Sequence, residues 1–516
     1  MKKSFILILS IFFVFSLLFA CQTTTQNQTQ TTTTTATTAT PTINYIDIPL
    51  QLTAKEEVFK GEIGPYAKSQ LPTFKVFTLD NGIPVIVKIN PANRVYNIQM
   101  VLRGGASLSN AENAGIEKLM LTTMARGSAK YQYQQIVDIL DKTSSGISTN
   151  VTFDYSTYSL NTLDKYFDQT LSIWLDTLVN PTFTESDFNK ALSDMKMYEE
   201  DYRSSPYTLG ILKLNQEFFK NTPYAANPDG TSYSLRKMTL DKVKKYYQDY
   251  FSSNRMFIVA VGNYNVDDLK AKLNKDLSVI KNTNVKFPEP FSFYGKVKNQ
   301  LLKINFSQST DVTYLRGDFA SPSMFSEEYL PFAIAMEMLS DMMFSIVREK
   351  YSACYTPMAY TRSFLANYAS IVIYKCSKTA NIKNYIDEAV TPLLKGMCLN
   401  QDPQATVVKG ESKASIKFVP IEEALETYKQ LYINRTFEKQ QYNSSIASQI
   451  MLSILHYGDY RYYLLDIDRV QKVTAQQIKD MIQKYLASQP VMWEISGDPN
   501  QISLLNPADF TYLGTK

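Results

Sequence analysis

Met238-Thr239-Leu240-Asp241 opens a helical pattern that carries Leu240, Val243, Tyr247, Tyr250 and Phe251 on one face. A turn follows, then the apolar run 256–261, closed by Gly262. The same construction returns late in the chain. Val473-Thr474 opens a helix, Thr474 and Gln477 have the spacing of a capping box, and Ile478, Met481, Ile482, Tyr485 and Leu486 form its apolar face. Pro490 and the strand-like run 491–495 follow, closed by Gly497. Thr239 to Thr474 and Gly262 to Gly497 are both 235 residues apart. Two landmarks at one offset predict an internal duplication. Leu102-Arg103-Gly104-Gly105 against Leu315-Arg316-Gly317-Asp318 is a second expected echo.

Each half is then an α+β unit, a mixed sheet with helices packed on it, and the two units are homologous. The domains are predicted at 72–286 and 301–516, with a linker at 287–300 where Pro288 and Pro290 interrupt regular structure. Within the first half, strands at 74–78 and 84–88 flank the turn Asp80-Asn81-Gly82 as a hairpin. Phe167, Leu171, Trp174, Leu175 and Leu178 form a helical stripe stopped by Asn180-Pro181. Leu339, Met342, Met343, Ile346 and Val347 form another. Both stripes are read as core.

The N-terminus reads as an export signal. Lys2 and Lys3 precede an apolar run at 5–20 that is too short to span a bilayer as a helix. Leu18-Phe19-Ala20-Cys21 resembles a bacterial lipobox, which implies removal of residues 1–20 and acylation of Cys21. Residues 22–42 are almost all Thr, Gln, Ala and Asn, a composition expected of a tether, so that 21–71 comprise anchor, tether and lead-in. The expected location is the bacterial cell envelope, facing the periplasm or exterior. Gln22 after the cysteine favours the outer membrane.

Composition excludes several function classes. Net charge is +4 with both signs interspersed, and no basic block points to nucleic acid. Cys354, Cys376 and Cys398 are an odd set without short-range pairing, so they are not a disulfide framework; one bridge among them is left open. There is a single histidine, His456, in Leu455-His456-Tyr457-Gly458, read as a structural residue at a helix end. Histidine zinc sites and histidine general-base schemes therefore have almost no material to work with.

An ordered set of short motifs then carries a family pattern. Leu79-Asp80-Asn81-Gly82 with Val85-Ile86-Val87, Gly104-Gly105-Ala106-Ser107, Gly115-Ile116-Glu117, the stretch Thr152-Phe153-Asp154-Tyr155-Ser156-Thr157-Tyr158, Thr222-Pro223-Tyr224, Gly230 and Met238-Thr239 follow one another. Together they resemble insulinase/pitrilysin-type zinc peptidases, which include the mitochondrial processing peptidase. The resemblance spans roughly residues 72–512, and it implies a duplicated metallohydrolase-like fold whose two domains form a clam-like chamber.

The resemblance implies an H-x-x-E-H motif on a helix, two histidines binding zinc and a glutamate activating the bound water, with a distant glutamate completing the metal shell. The matching pentapeptide here is Lys118-Leu119-Met120-Leu121-Thr122. Lysine stands for the first histidine, leucine for the base and threonine for the second histidine. Glu199 and Glu200 lie where the distant glutamate is expected, and which of them matches stays open. No zinc is expected on this chain. Lys118 is expected either to neutralise Glu199 or Glu200 or to face solvent. In the second half, Arg348 and Tyr355 resemble the family's arginine–tyrosine pair, which implies contacts to substrate and to developing negative charge. Some family members work as pairs, one subunit bearing zinc and the other the arginine and tyrosine. The expected function is that of the second kind: a catalytically incomplete, peptide-binding partner of a zinc-containing homologous subunit. The alternative is a non-enzymatic peptide-binding or scaffold lipoprotein.

Overall fold

The computed structural model describes residues 43–400 and 416–513; Cys21, the predicted signal and the predicted tether lie outside them. The run 256–261 is apolar at every position because the strand it forms, Met256–Gly262, is buried on both faces. Ile258 and Ala260 face the helices of their own half, while Phe257, Val259 and Val261 face Ile446, Ile450, Met451 and Ile454 from the second half. That strand is central in a six-stranded sheet ordered Phe74–Thr78, Pro84–Ile89, Met256–Gly262, Val95–Arg103, Tyr155–Leu163, Gly146–Val151. All neighbours are antiparallel except Pro84–Ile89 with Met256–Gly262.

The second sheet repeats this plan with five strands: Gln300–Asn305, Met492–Gly497, Thr313–Ala320, Tyr368–Cys376, Cys354–Thr361. Its one parallel pair, Met492–Gly497 with Gln300–Asn305, occupies the position of the parallel pair in the first. Gly262 and Gly497 end equivalent strands, as the duplication predicts. The echo of Leu102-Arg103-Gly104-Gly105 is a different matter. Asn97 lies opposite Val261 and Tyr314 opposite Ser496, so Leu102 corresponds to Phe319 and not to Leu315. That short match is coincidental; strand register, which the sequence does not display, decides equivalence.

Each half lends one helix to the other's sheet. Asn443–Tyr457 packs on the first sheet and Pro206–Phe218 on the second. The described residues accordingly form one compact unit. The two borrowed faces differ in chemistry. The first is mainly apolar, with Lys88 and Gln99 buried beside Ile86 and Val101, whereas the second buries Arg316, Asp318, Ser370, Glu494 and Ser496. Gly210 on the second helix makes room for these groups, since a Cβ there would meet the Glu494 carboxylate and lie 2.5 Å from Ser496 Oγ. A further inter-half junction uses Asp154, whose carboxylate accepts from Tyr224 Oη (2.5 Å) and from the Leu365 backbone N–H (2.8 Å), while Tyr224 Oη accepts from the Ala366 N–H (3.0 Å).

Local signals explain the helices. Thr239 accepts a hydrogen bond from the Lys242 N–H at the start of Leu240–Tyr250, and Thr474 and Gln477 form the predicted capping box. Phe167–Val179 stops at Asn180 before Pro181. Tyr329–Met343 continues into a π-helical turn, Phe344–Lys350. The predicted linker contributes Phe287–Pro288, which pairs with Tyr45–Ile46 of the lead-in.

Candidate functional site

The motif helix is Ile116–Met124. Its start is fixed by two glycines in left-handed conformation, Gly115 (φ 85°) and Gly230 (φ 82°), packed so closely that a Cβ on Gly115 would sit 2.7 Å from Gly230 Cα. Leu119, Met120 and Leu121 are fully buried in the core of the first half. Lys118 and Thr122, one turn apart, are only partly buried.

The Gly115–Gly230 contact decides where Lys118 goes. It brings the residue before Gly230 alongside the helix, and Lys118 Nζ lies 2.5 Å from Asp229 Oδ1 and 5.1 Å from the Tyr198 ring centroid. The expected pairing with Glu199 or Glu200 is therefore corrected. Glu199 is instead 3.5 Å from Arg203 one turn along its own helix, and Glu200 lines a shallow cleft with Glu199, Lys196, Arg203 and Arg236. Asp229 was visible only indirectly, as the neighbour of a glycine in the family pattern.

Glu117 was also hidden in the sequence. It is buried, and its carboxylate accepts from Arg255 Nη2 (2.8 and 3.0 Å), Ser156 Oγ (2.6 Å) and Tyr246 Oη (2.6 Å). Arg255, equally buried, also donates to the carbonyls of Arg103 and Tyr250. Burial and the Glu117 charge push the Tyr246 phenol well above its ordinary range. No spacing rule announces a salt bridge across 138 residues.

The zinc that the family pattern implies does not fit these residues. At the three motif positions the donors are an ammonium already paired with a carboxylate, a hydrocarbon and one hydroxyl. Among the described residues, no group of three or more His, Cys, Asp or Glu side chains converges as a metal site. His456 is buried at the end of Asn443–Tyr457, and burial holds its imidazole down to about 4.

Arg348 and Tyr355 are brought together. Arg348 sits on the π-helical turn, and Tyr355 follows at the start of the edge strand Cys354–Thr361. The guanidinium lies 5.5 Å from the Tyr355 ring centroid and 4.9 Å from that of Phe344, with Glu349 at 3.5 Å. Tyr355 is 64 % exposed and Arg348 is half-buried beside it, so both groups present donors to the surface.

Known proteins share this plan. Residues 84–232 match the model of the insulinase family (peptidase family M16), and residues 237–395 match that of the peptidase M16 inactive domain. The chain is 26 % identical over 209 residues to the non-peptidase homolog YmxG of Helicobacter pylori, covering 40 % of this chain and 48 % of that protein. It is 21 % identical over 229 residues to cytochrome b-c1 complex subunit 1 of Saccharomyces cerevisiae mitochondria, covering 43 % and 49 %. The matched stretch spans about half the length of these curated relatives. The crystal structure of a peptidase M16 inactive domain from Pseudomonas fluorescens has a similar fold, with a TM-score of 0.69 at 16 % identity over 82 % of this chain and 98 % of that one.

Proposed function

Because the chain belongs to the insulinase family of peptidases, M16, and holds Lys118, Leu121 and Thr122 at the motif positions, we propose that it is the non-zinc subunit of a paired cell-envelope metallopeptidase. The observation that carries this reading is the Arg348–Tyr355 pair at the surface. A guanidinium and a phenol that can reach outward suit a site completed by another chain. In this reading a zinc-bearing homologue supplies the metal and the attacking water. Arg348 and Tyr355 donate hydrogen bonds to the scissile carbonyl oxygen as it gains charge.

Peptide capture has support in the first half. Gly146–Val151 is the edge strand of its sheet, alternates between exposed and half-buried residues, and lies against the motif helix. Its free edge suits an extended peptide added as a further strand. Acylation of Cys21, after removal of residues 1–20, would hold the subunit at the membrane.

The test is co-purification followed by reconstitution. A zinc-motif homologue is expected to copurify, peptide cleavage to rise on mixing, and Arg348→Ala to lower kcat/KM of the mixture by at least ~10-fold. A companion that binds but cleaves equally well without this chain refutes the reading. It would favour the second one, a non-enzymatic peptide-binding scaffold, which the Lys118–Asp229 pair at the motif also suits.

A further inference from the structure

Three cysteines of the second half are buried thiols, and two of them face each other. Cys354 and Cys376 are direct partners on the antiparallel strands Cys354–Thr361 and Tyr368–Cys376. The Ser377 N–H donates to the Ala353 carbonyl at 2.9 Å, a bond that lies just outside the pair. A flanking bond of this kind marks a non-hydrogen-bonded pair, the closely spaced type, with Cα atoms about 4.5 Å apart. That spacing lies inside the window that disulfides accept, about 4.4–6.8 Å.

Side-chain direction agrees. Ala369, Ile371 and Ile373 point into the core of the second half, so strict alternation would turn Cys376 outward with Tyr374. Lys375 interrupts the alternation with a left-handed backbone (φ 56°) and returns Cys376 to the core side. Cys354 points into the same core, and the two thiols are close enough that Cys376 contributes to raising Cys354. Cys398 lies apart on Met397–Leu399, where the neighbouring charges are Asp341 and Glu422.

We infer that Cys354 and Cys376 are an oxidation site and form a disulfide when the chain folds in the presence of a disulfide-bearing oxidant, with Cys398 remaining a thiol. In the folded, reduced chain, burial pushes Cys354 up to about 12, so exchange belongs to folding, before the core closes. The Cys354 thiolate attacks the oxidant's disulfide and expels one thiol. The Cys376 thiolate then attacks Cys354 Sγ and expels the second. One protein disulfide forms, one oxidant disulfide is reduced to two thiols, and the protein's two thiol protons pass to the departing thiolates. The bridge fastens the edge strand immediately beside Tyr355. The inference rests on strand register and is independent of the proposed function.

Trypsin separates the three cysteines into peptides 351–362, 376–378 and 396–409. The full chain, refolded with oxidised glutathione, alkylated and digested, is expected to yield 351–362 linked to 376–378, with 396–409 alkylated. Reduction should release the link and lower Tm by about 3 °C. A Cys354→Ala/Cys376→Ala variant should show no response of Tm to reductant. Recovery of 351–362 and 376–378 as separate alkylated peptides, a link to 396–409, or an equal Tm response in the double variant would overturn the assignment.

Discussion

Replacing Glu117 by Ala tests how the motif helix is held. The carboxylate has about four lone-pair positions, and Arg255 (twice), Ser156 and Tyr246 occupy them. Both ends of the ion pair are essentially inaccessible, at 0 % for Arg255 and 1 % for Glu117. Removing one partner strands the other: the Arg255 guanidinium keeps the carbonyls of Arg103 and Tyr250 but loses its counter-charge. The cost of breaking a buried pair this way is about 3–5 kcal/mol. Removing both charges is far milder, so Glu117→Leu/Arg255→Met should recover most of the loss. Urea unfolding of the wild type, Glu117→Leu, Arg255→Met and their double variant closes the cycle, with Glu117→Ala measured beside it. A loss below about 1 kcal/mol for Glu117→Ala, or additive effects in the cycle, would refute the view that this network anchors the helix.

Lys118→Met should be mild by contrast. Its pair with Asp229 is 32 % and 41 % exposed, so solvent screens it and the loss in urea unfolding should stay below about 1 kcal/mol. Gly115→Ala should cost about 2 kcal/mol or more, because it combines a left-handed backbone with a Cβ 2.7 Å from Gly230 Cα; thermal unfolding reads it. Asp154 sets a pH dependence. Burial raises its carboxyl from 3.8 to about 6, so the folded state holds a proton that the unfolded state releases. Its stabilising contribution is complete below about pH 4 and is lost as pH rises through about 6, a swing of about 2–3 kcal/mol. The stability difference between wild type and Asp154→Asn, measured from pH 4 to pH 7, should fall by that amount; a difference independent of pH would contradict it.

Much of this architecture was legible because it follows from period and punctuation. The 235-residue offset, the cap at Thr239, the box at Thr474 and Gln477 and the stop at Asn180-Pro181 are local, and they place helices and strands without reference to the rest of the chain. What stayed hidden is non-local. Lys118 meets Asp229 across 111 residues, Glu117 meets Arg255 across 138, and both depend on how loops close. The Leu102 and Leu315 echo failed for the same reason, since register is set by pairing partners. Glu494 lies in a continuous strand-like run yet is fully buried, because the helix that covers it comes from the other half.

The motif helix keeps its place without metal ligands. The Gly115–Gly230 approach fixes its start, the Glu117 network ties it to Arg255 on the neighbouring strand turn, and Leu119, Met120 and Leu121 anchor its inner face. Since these contacts lie on the core side, the outward positions 118 and 122 are free to vary at little cost to the fold. Leu121 differs. It is fully buried, and a carboxylate there would be desolvated without a partner. Placing histidines at 118 and 122 therefore alters half-buried positions, whereas placing a glutamate at 121 disturbs the core. Leu121 completes the apolar inner face of the helix, and Leu121→Glu should destabilise the protein by several kcal/mol, about the cost of an unpaired buried carboxylate, as urea unfolding would read.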